Sequence, residues 1–457
     1  MGITYDYSDD ALMHFNTFIL SMPMKDNDVN RKILRTTALV IGASSLVFGM
    51  AACSSGGGST GSTTLYVTVD THPWTDQIKN SISEFEQQTG LKVELTQLSE
   101  DQLSAQYNTK LNSGTSEIDV LMFRPLQEGK MFTLNGWLAD LSDDVKSDAD
   151  WDWSDFQAGP VAATTVNNQI TGVPIVTERE VLYYRTDLLK EAGLSVPATM
   201  DDLKSAAASI HQAHPDIAGF VARTNVSAAV TQFSSFLYSY GADWTDASGK
   251  ASINTPEAKA AYEMYSGLIH DYGPANVSTD MSWPDAMAIF QQGNAAFYTE
   301  ADSLYTNATD PTKSKVSDSV GFAPIPAGPA GSKPYNIPSW ALGINESSQN
   351  KDNAWKFIQW ATTKDMALSI QQAGVPSART SAWSNPDGIA SYPKDLADAI
   401  ATSAKNGVGH DRPVVIQVAN ARQIVGAPLV VGITGGDVDA AADKAQTDFQ
   451  AFLDTDK

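Results

Sequence analysis

The sequence predicts an α/β protein built of two lobes, each a sheet flanked by helices, with more than one chain crossing between them. Three observations predict it. The segment from Leu65 onward alternates strand and helix patterns, and such alternation implies an open sheet with helices packed on it. A second helix-rich stretch follows at 201–270. Finally, 457 residues, 42% of them hydrophobic, suffice for two or three folding units.

The elements follow in order. Leu65, Val67 and Val69 alternate with Tyr66 and Thr68 as a half-buried strand requires. Ile78, Ile82 and Phe85 mark one face of a helix, and Gly90 supplies its stop signal. Residues 91–95 alternate again. Leu103, Tyr107 and Leu111 mark the next helix, which closes near Gly114. The apolar run 118–123 breaks at Arg124-Pro125, as a buried parallel strand does. In such a sheet ligands gather at the C-terminal strand edge. That edge carries Asp70, His72 and Trp74 after the first strand and Arg124 after the third. Further on, 323–334 is dense in Pro and Gly, and 438–453 reads as an amphipathic helix with Phe449, Phe452 and Leu453 on its apolar side. No repeat of fixed period is visible.

Composition narrows the function. A formal charge of -23 argues against nucleic acid, whose phosphates demand a basic footprint. One cysteine allows no internal disulfide and no thiolate metal site, and the six histidines show no metal-binding spacing. No cofactor is expected. His211 and His214 read as surface or capping residues. No GxxxxGK[ST] phosphate loop occurs, so no nucleotide-hydrolysing site of that type is expected. Ten tryptophans suit a protein that stacks flat, partly apolar ligands.

The N-terminus reads as an address. Lys25, Arg31, Lys32 and Arg35 precede an apolar stretch at 38–49, too short to span a bilayer. Ala51-Ala52-Cys53 then resembles a bacterial lipobox, whose cysteine is diacylated and becomes the first residue after cleavage. The expected division is a misassigned extension at 1–23, a lipoprotein signal peptide at 24–52, and a lipidated Cys53 with a Ser/Gly tether through 63. The protein would sit on the outer face of the cell membrane.

Seven segments in sequence order carry a family resemblance. They are FEQQTGLKVEL (85–95), KLNSGTSEIDVLMF (110–123), NGWLADLSD (135–143), QITGVPIVTEREVLYYRTDLLKEAGL (169–194), FQQGNAAFYTEAD (290–302), SWALGINESSQNKDNAWKFIQW (339–360) and GVPSARTSAW (374–383). Together they resemble the extracellular sugar-binding proteins of ABC importers, the maltose-binding type. DYGPAN with SWPDAMAIFQQGNAAF points to binders of sugar alcohols and other short sugars. The resemblance implies a two-lobed periplasmic-binding-protein fold of type II, with hinge strands near Glu178 and near 372–379. The N-terminal lobe would comprise 64–177 and 337–372, the C-terminal lobe 178–336 and 373–457. It further implies a monomer that captures a small carbohydrate and docks on permease subunits, without catalysis.

A sugar offers C–H faces, which want aromatic plates, and hydroxyls, which want carboxylates and guanidiniums. The candidate plates are Trp340, Trp283, Trp244 and Trp74, and the candidate grips are Glu178, Glu300, Arg124, Arg379 and Asp70. Glu180 lies on the same face of its strand as Glu178 and reads as a solvated neighbour. Trp151 and Trp153 read as structural. Two other readings stay open: the same fold holding an amino acid, peptide or polyamine, and a glycosidase using Glu178 with Glu300.

Overall fold

A computed structural model describes residues 63–456. The expected extension, signal peptide, Cys53 and nearly all of the tether lie outside the described residues. Among the described residues ten strands occur: β1 (Thr64–Asp70), β2 (Lys92–Leu98), β3 (Val120–Phe123), β4 (Thr165–Val166), β5 (Gln169–Ile170), β6 (Val173–Arg185), β7 (Ala218–Val221), β8 (Ala295–Ala301), β9 (Val320–Pro324) and β10 (Asn336–Ile344). β4 and β5 form a small hairpin. The other eight make one sheet in the order β2-β1-β3-β10-β6-β8-β7, with β9 also on β6.

The first three strands pair in parallel, linked by the helices Pro73–Thr89 and Glu100–Lys110. The first helix starts where Pro73 presets the backbone and the His72 side chain caps it. It ends at Gly90, whose φ of 72° only glycine adopts at little cost. Its buried face is Trp74, Thr75, Ile78 and Phe85.

β6 is the longest strand, and its two ends belong to different cores. Val173–Arg179 pairs with β10, whereas Glu180–Tyr184 pairs with β8 and Val181–Arg185 with β9. One core gathers Leu65, Trp74, Phe123, Val176, Trp340 and Phe357; a second gathers Leu182, Phe233, Trp244, Tyr262, Val425 and Phe449. A third cluster, around Tyr183, Phe290, Tyr298 and Leu396, packs the opposite face of the second lobe's strands. Val375 and Ala378 pack in the first core, beyond the expected switch at 372. β6 runs between the cores, and β10 begins beside its crossing, with Asn336 opposite Arg179 and Ile337 opposite Glu178. The crossing is locked by Arg179, whose backbone N–H and Nη1 both donate to Asp302, at 3.0 and 2.9 Å.

Candidate functional site

Between the two cores lies a narrow cavity of about 50 Å³. Its wall includes Asp70, His72, Glu100, Arg124 and Trp340 from one side, and Arg223, Thr231, Trp283, Arg412 and Arg422 from the other, with Glu178 at the crossing. Strand geometry places most of these groups. Asp70 ends β1, Arg124 follows β3, and Arg223 comes two residues after β7, so each stands at a C-terminal strand edge. Trp340 sits where the β10–β6 register breaks, and such an irregularity re-aims a side chain. Trp283 opens the helix Trp283–Gln291, held by a capping box between Ser282 and Asp285.

The charged groups are mostly held before any ligand is considered. Arg124 donates to Glu100 at 2.7 Å, to Ser104 at 2.7 Å and to Glu128 at 2.6 Å, and its guanidinium lies 5.7 Å from the Trp340 ring. Arg223 forks onto Glu300 at 3.0 and 2.5 Å. Arg412 pairs with Asp411, through Nε at 2.7 Å and through Nη2. Burial would push the Asp411 carboxyl up, but Arg412, Arg422 and the Thr231 hydroxyl outweigh it and hold it at about 2.

Against this satisfied background, two buried polar atoms of the cavity wall have no hydrogen-bond partner: Asp70 Oδ1 and His72 Nε2. His72 Nδ1 accepts from the Trp74 N–H at 3.1 Å. The neutral ring must therefore carry its proton on Nε2, which becomes a donor facing the cavity 3.9 Å from Glu178 Oε1. Glu178 itself accepts from Ser303 at 2.5 Å. Burial, reinforced by Glu100, pushes the Asp70 carboxyl up to about 7, against the pull of His72 and Arg124.

Of the expected site residues, the structure brings Asp70, Arg124, Glu178, Trp283 and Trp340 together around this cavity. Glu300 stands behind it, fully buried, holding Arg223 and accepting from Tyr298 at 2.7 Å. Three candidates lie elsewhere. Trp74 faces inward from the first helix into the N-terminal core. Trp244 fills the second core, with its indole N–H on Tyr238 Oη at 2.8 Å. Arg379 is 1% exposed and spends its guanidinium on the carbonyls of Trp151, Asp152 and Thr362 and on Asp155, so it ties loops together. Glu180 is not solvated but wholly buried, with Ser235 of the helix Ala228–Ser239 and Thr299 against its carboxyl.

The lining residues that pattern reading left out had faint signals. Arg223 obeys the same strand-edge rule as Arg124. Arg422 is the sole charge in the apolar helix Val418–Ile433, and an isolated charge in such a helix demands a buried partner. Arg412, on a loop, had none.

Two lobes joined by crossing strands, with a polar cavity between them, are the architecture of a two-lobed solute-binding protein. The family model of bacterial extracellular solute-binding proteins matches residues 71–367, and the chain belongs to that family. It is 27% identical over 296 residues to the mannitol-binding protein of Pseudomonas aeruginosa, covering 63% of this chain and 67% of that one. A solute-binding protein of an ABC transporter from Agrobacterium radiobacter K84, solved with ribitol, superposes with a TM-score of 0.77. It is 26% identical, over 85% of this chain and 98% of that one. An Agrobacterium vitis S4 counterpart with bound D-mannitol gives 0.73 at 26% identity, over 86% and 98%.

Proposed function

We propose that this protein captures a small, uncharged polyhydroxylated solute, a monosaccharide or sugar alcohol, and delivers it to an ABC permease without altering it. The observation that carries the reading is the pair of unpartnered buried atoms, Asp70 Oδ1 and His72 Nε2, an acceptor and a donor set beside the Trp340 ring. Leaving such groups unfilled costs roughly 1–3 kcal/mol each, and hydroxyl groups, which both donate and accept, fill them. Charge supports the same class. The four lining arginines face Asp70, Glu100 and Glu178 and are backed by Glu128, Glu300 and Asp411, so no surplus positive charge asks for an anion. The relatives that hold mannitol and ribitol agree with this chemistry.

The glycosidase reading is weaker, because Glu300 is sealed against Arg223 and cannot reach a scissile bond. Among the described residues no helix is long and apolar enough to cross a membrane, and attachment through a lipid on Cys53 is part of the proposal. Tryptophan fluorescence titrated with ribitol, D-mannitol and maltose, followed by chromatography of the recovered solute, tests it. Saturable quenching with unchanged solute is expected. Binding of none of them, or a chemical product, would overturn it.

A further inference from the structure

One contact joins the lobes at the margin of the solute space, between Gln127, outside the cavity wall, and two arginines of that wall. Gln127 lies in the short helical turn Pro125–Gly129 that follows Arg124. Its Oε1 accepts from Arg412 Nη1 at 2.6 Å and from Arg422 Nη1 at 2.9 Å, and both arginines belong to the second lobe. Two guanidinium donors converging on one atom require the amide oxygen there, not the nitrogen.

The two arginines are not equivalent. Arg412 has Asp411 as a counter-ion. Arg422 has none within ion-pair distance among the described residues; its remaining donors go to the Ser227 carbonyl at 2.8 Å and Thr231 Oγ1 at 3.1 Å. Arg422 is 5% exposed, and a buried cation is tolerated only while its donors are filled. Separating the lobes would strip Gln127 from both guanidiniums and let water take its place. The contact therefore exists in one state of the hinge and not in the other, which is what a device that biases closure must do.

We propose that Gln127, with Arg412 and Arg422, forms an interlobe clasp that sets how long the closed cleft holds its solute. Gln127 acts as a positioning residue and does not itself line the cavity. A neutral amide suits the task. It makes two charge-assisted hydrogen bonds, yet lacks the full charge that would fix two guanidiniums in place and keep the cleft shut. The inference rests on the solute-binding reading, but half of its test does not.

Stopped-flow fluorescence with D-mannitol and ribitol supplies one arm. Gln127→Leu should raise the dissociation rate about tenfold and leave the association rate nearly unchanged, since losses within an established interface fall on release. Gln127→Glu should slow release below the wild-type rate, with an effect that shrinks as salt rises. Small-angle scattering without solute supplies the other arm. The Glu variant should be the more compact of the two, and this comparison needs no solute to bind. If neither polyol binds, the solute reading fails and scattering still decides the clasp. Equal scattering from the Glu and Leu variants would overturn the clasp, as would equal release rates. Should the Leu variant not fold, the Glu variant against wild type carries both arms.

Discussion

Asp70 should make solute binding proton-linked. Its carboxyl, ordinarily near 3.8, is pushed up to about 7 by burial and by Glu100, with His72 and Arg124 pulling the other way. A gap of about 3 pH units corresponds to about 4 kcal/mol of cost for holding the charge in the unfilled cavity. The sign for folding follows. The unfolded chain gives up this proton first, so the native state binds more protons between pH 3.8 and about 7. The contribution of Asp70 to stability is thus whole below pH 3.8 and declines as pH rises through 7. Solute acts in the opposite direction. A hydroxyl donating to Oδ1 favours the charged carboxylate by about 1.5–3 kcal/mol, which lowers its titration by roughly 1–2 pH units. Affinity should therefore rise about 10- to 100-fold from pH 5 to pH 8, with up to one proton released near pH 6–7. Calorimetry in two buffers of different ionisation enthalpy measures that proton directly. Asp70→Asn, tested alongside, should bind more weakly at pH 8 and lose the proton release. An unchanged release in the Asn variant, or a flat pH profile in the wild type, would refute the assignment.

Further outcomes are expected. Trp340→Ala should weaken solute binding roughly thirtyfold, about 2 kcal/mol, while Trp153→Ala leaves it nearly unchanged; calorimetry decides. Arg379→Met should lower stability by about 3 kcal/mol in thermal or urea unfolding, because it removes the ion pair to Asp155 and the donors to three carbonyls, leaving Asp155 only its bonds from Ser381, yet leave affinity within a few-fold. Trp244→Phe should cost about 1 kcal/mol through the lost bond to Tyr238 and leave affinity unaltered. Cys53→Ser should move the protein from the membrane fraction to the medium, which fractionation and blotting detect.

Local pattern made the frame readable. The period of two in β1, the helical face at Ile78 and Phe85, and the break at Arg124-Pro125 each report a short stretch of chain, and each lies where pattern places it. Strand-edge logic likewise reached Asp70 and Arg124. It misjudged Trp74 because His72 starts the helix one residue before Pro73, which turns that indole inward. Trp244, expected to be a ligand plate, lies in the turn-rich stretch GADWTDASG. Only the tertiary fold shows that the turn drops its indole between Phe233 and Tyr238. Arg379 shows the same limit. Its partners Trp151, Asp152 and Asp155 lie more than two hundred residues away in sequence, beyond what any local pattern encodes.

The placement of β10 also orders events in time. β3 and the first half of β6 are neighbours of β10, not of each other, and β10 begins only at Asn336. A chain emerging from the ribosome thus carries the first three strands with an open edge until the whole of β7, β8 and β9 has been made. Exposed strand edges invite wrong pairings, and pairings so distant in sequence are slow to form. Fragments ending before Asn336 should aggregate rather than fold as a free first lobe. A chain whose last strand joins the two halves of its sheet keeps the first half open until Ile344 has been made.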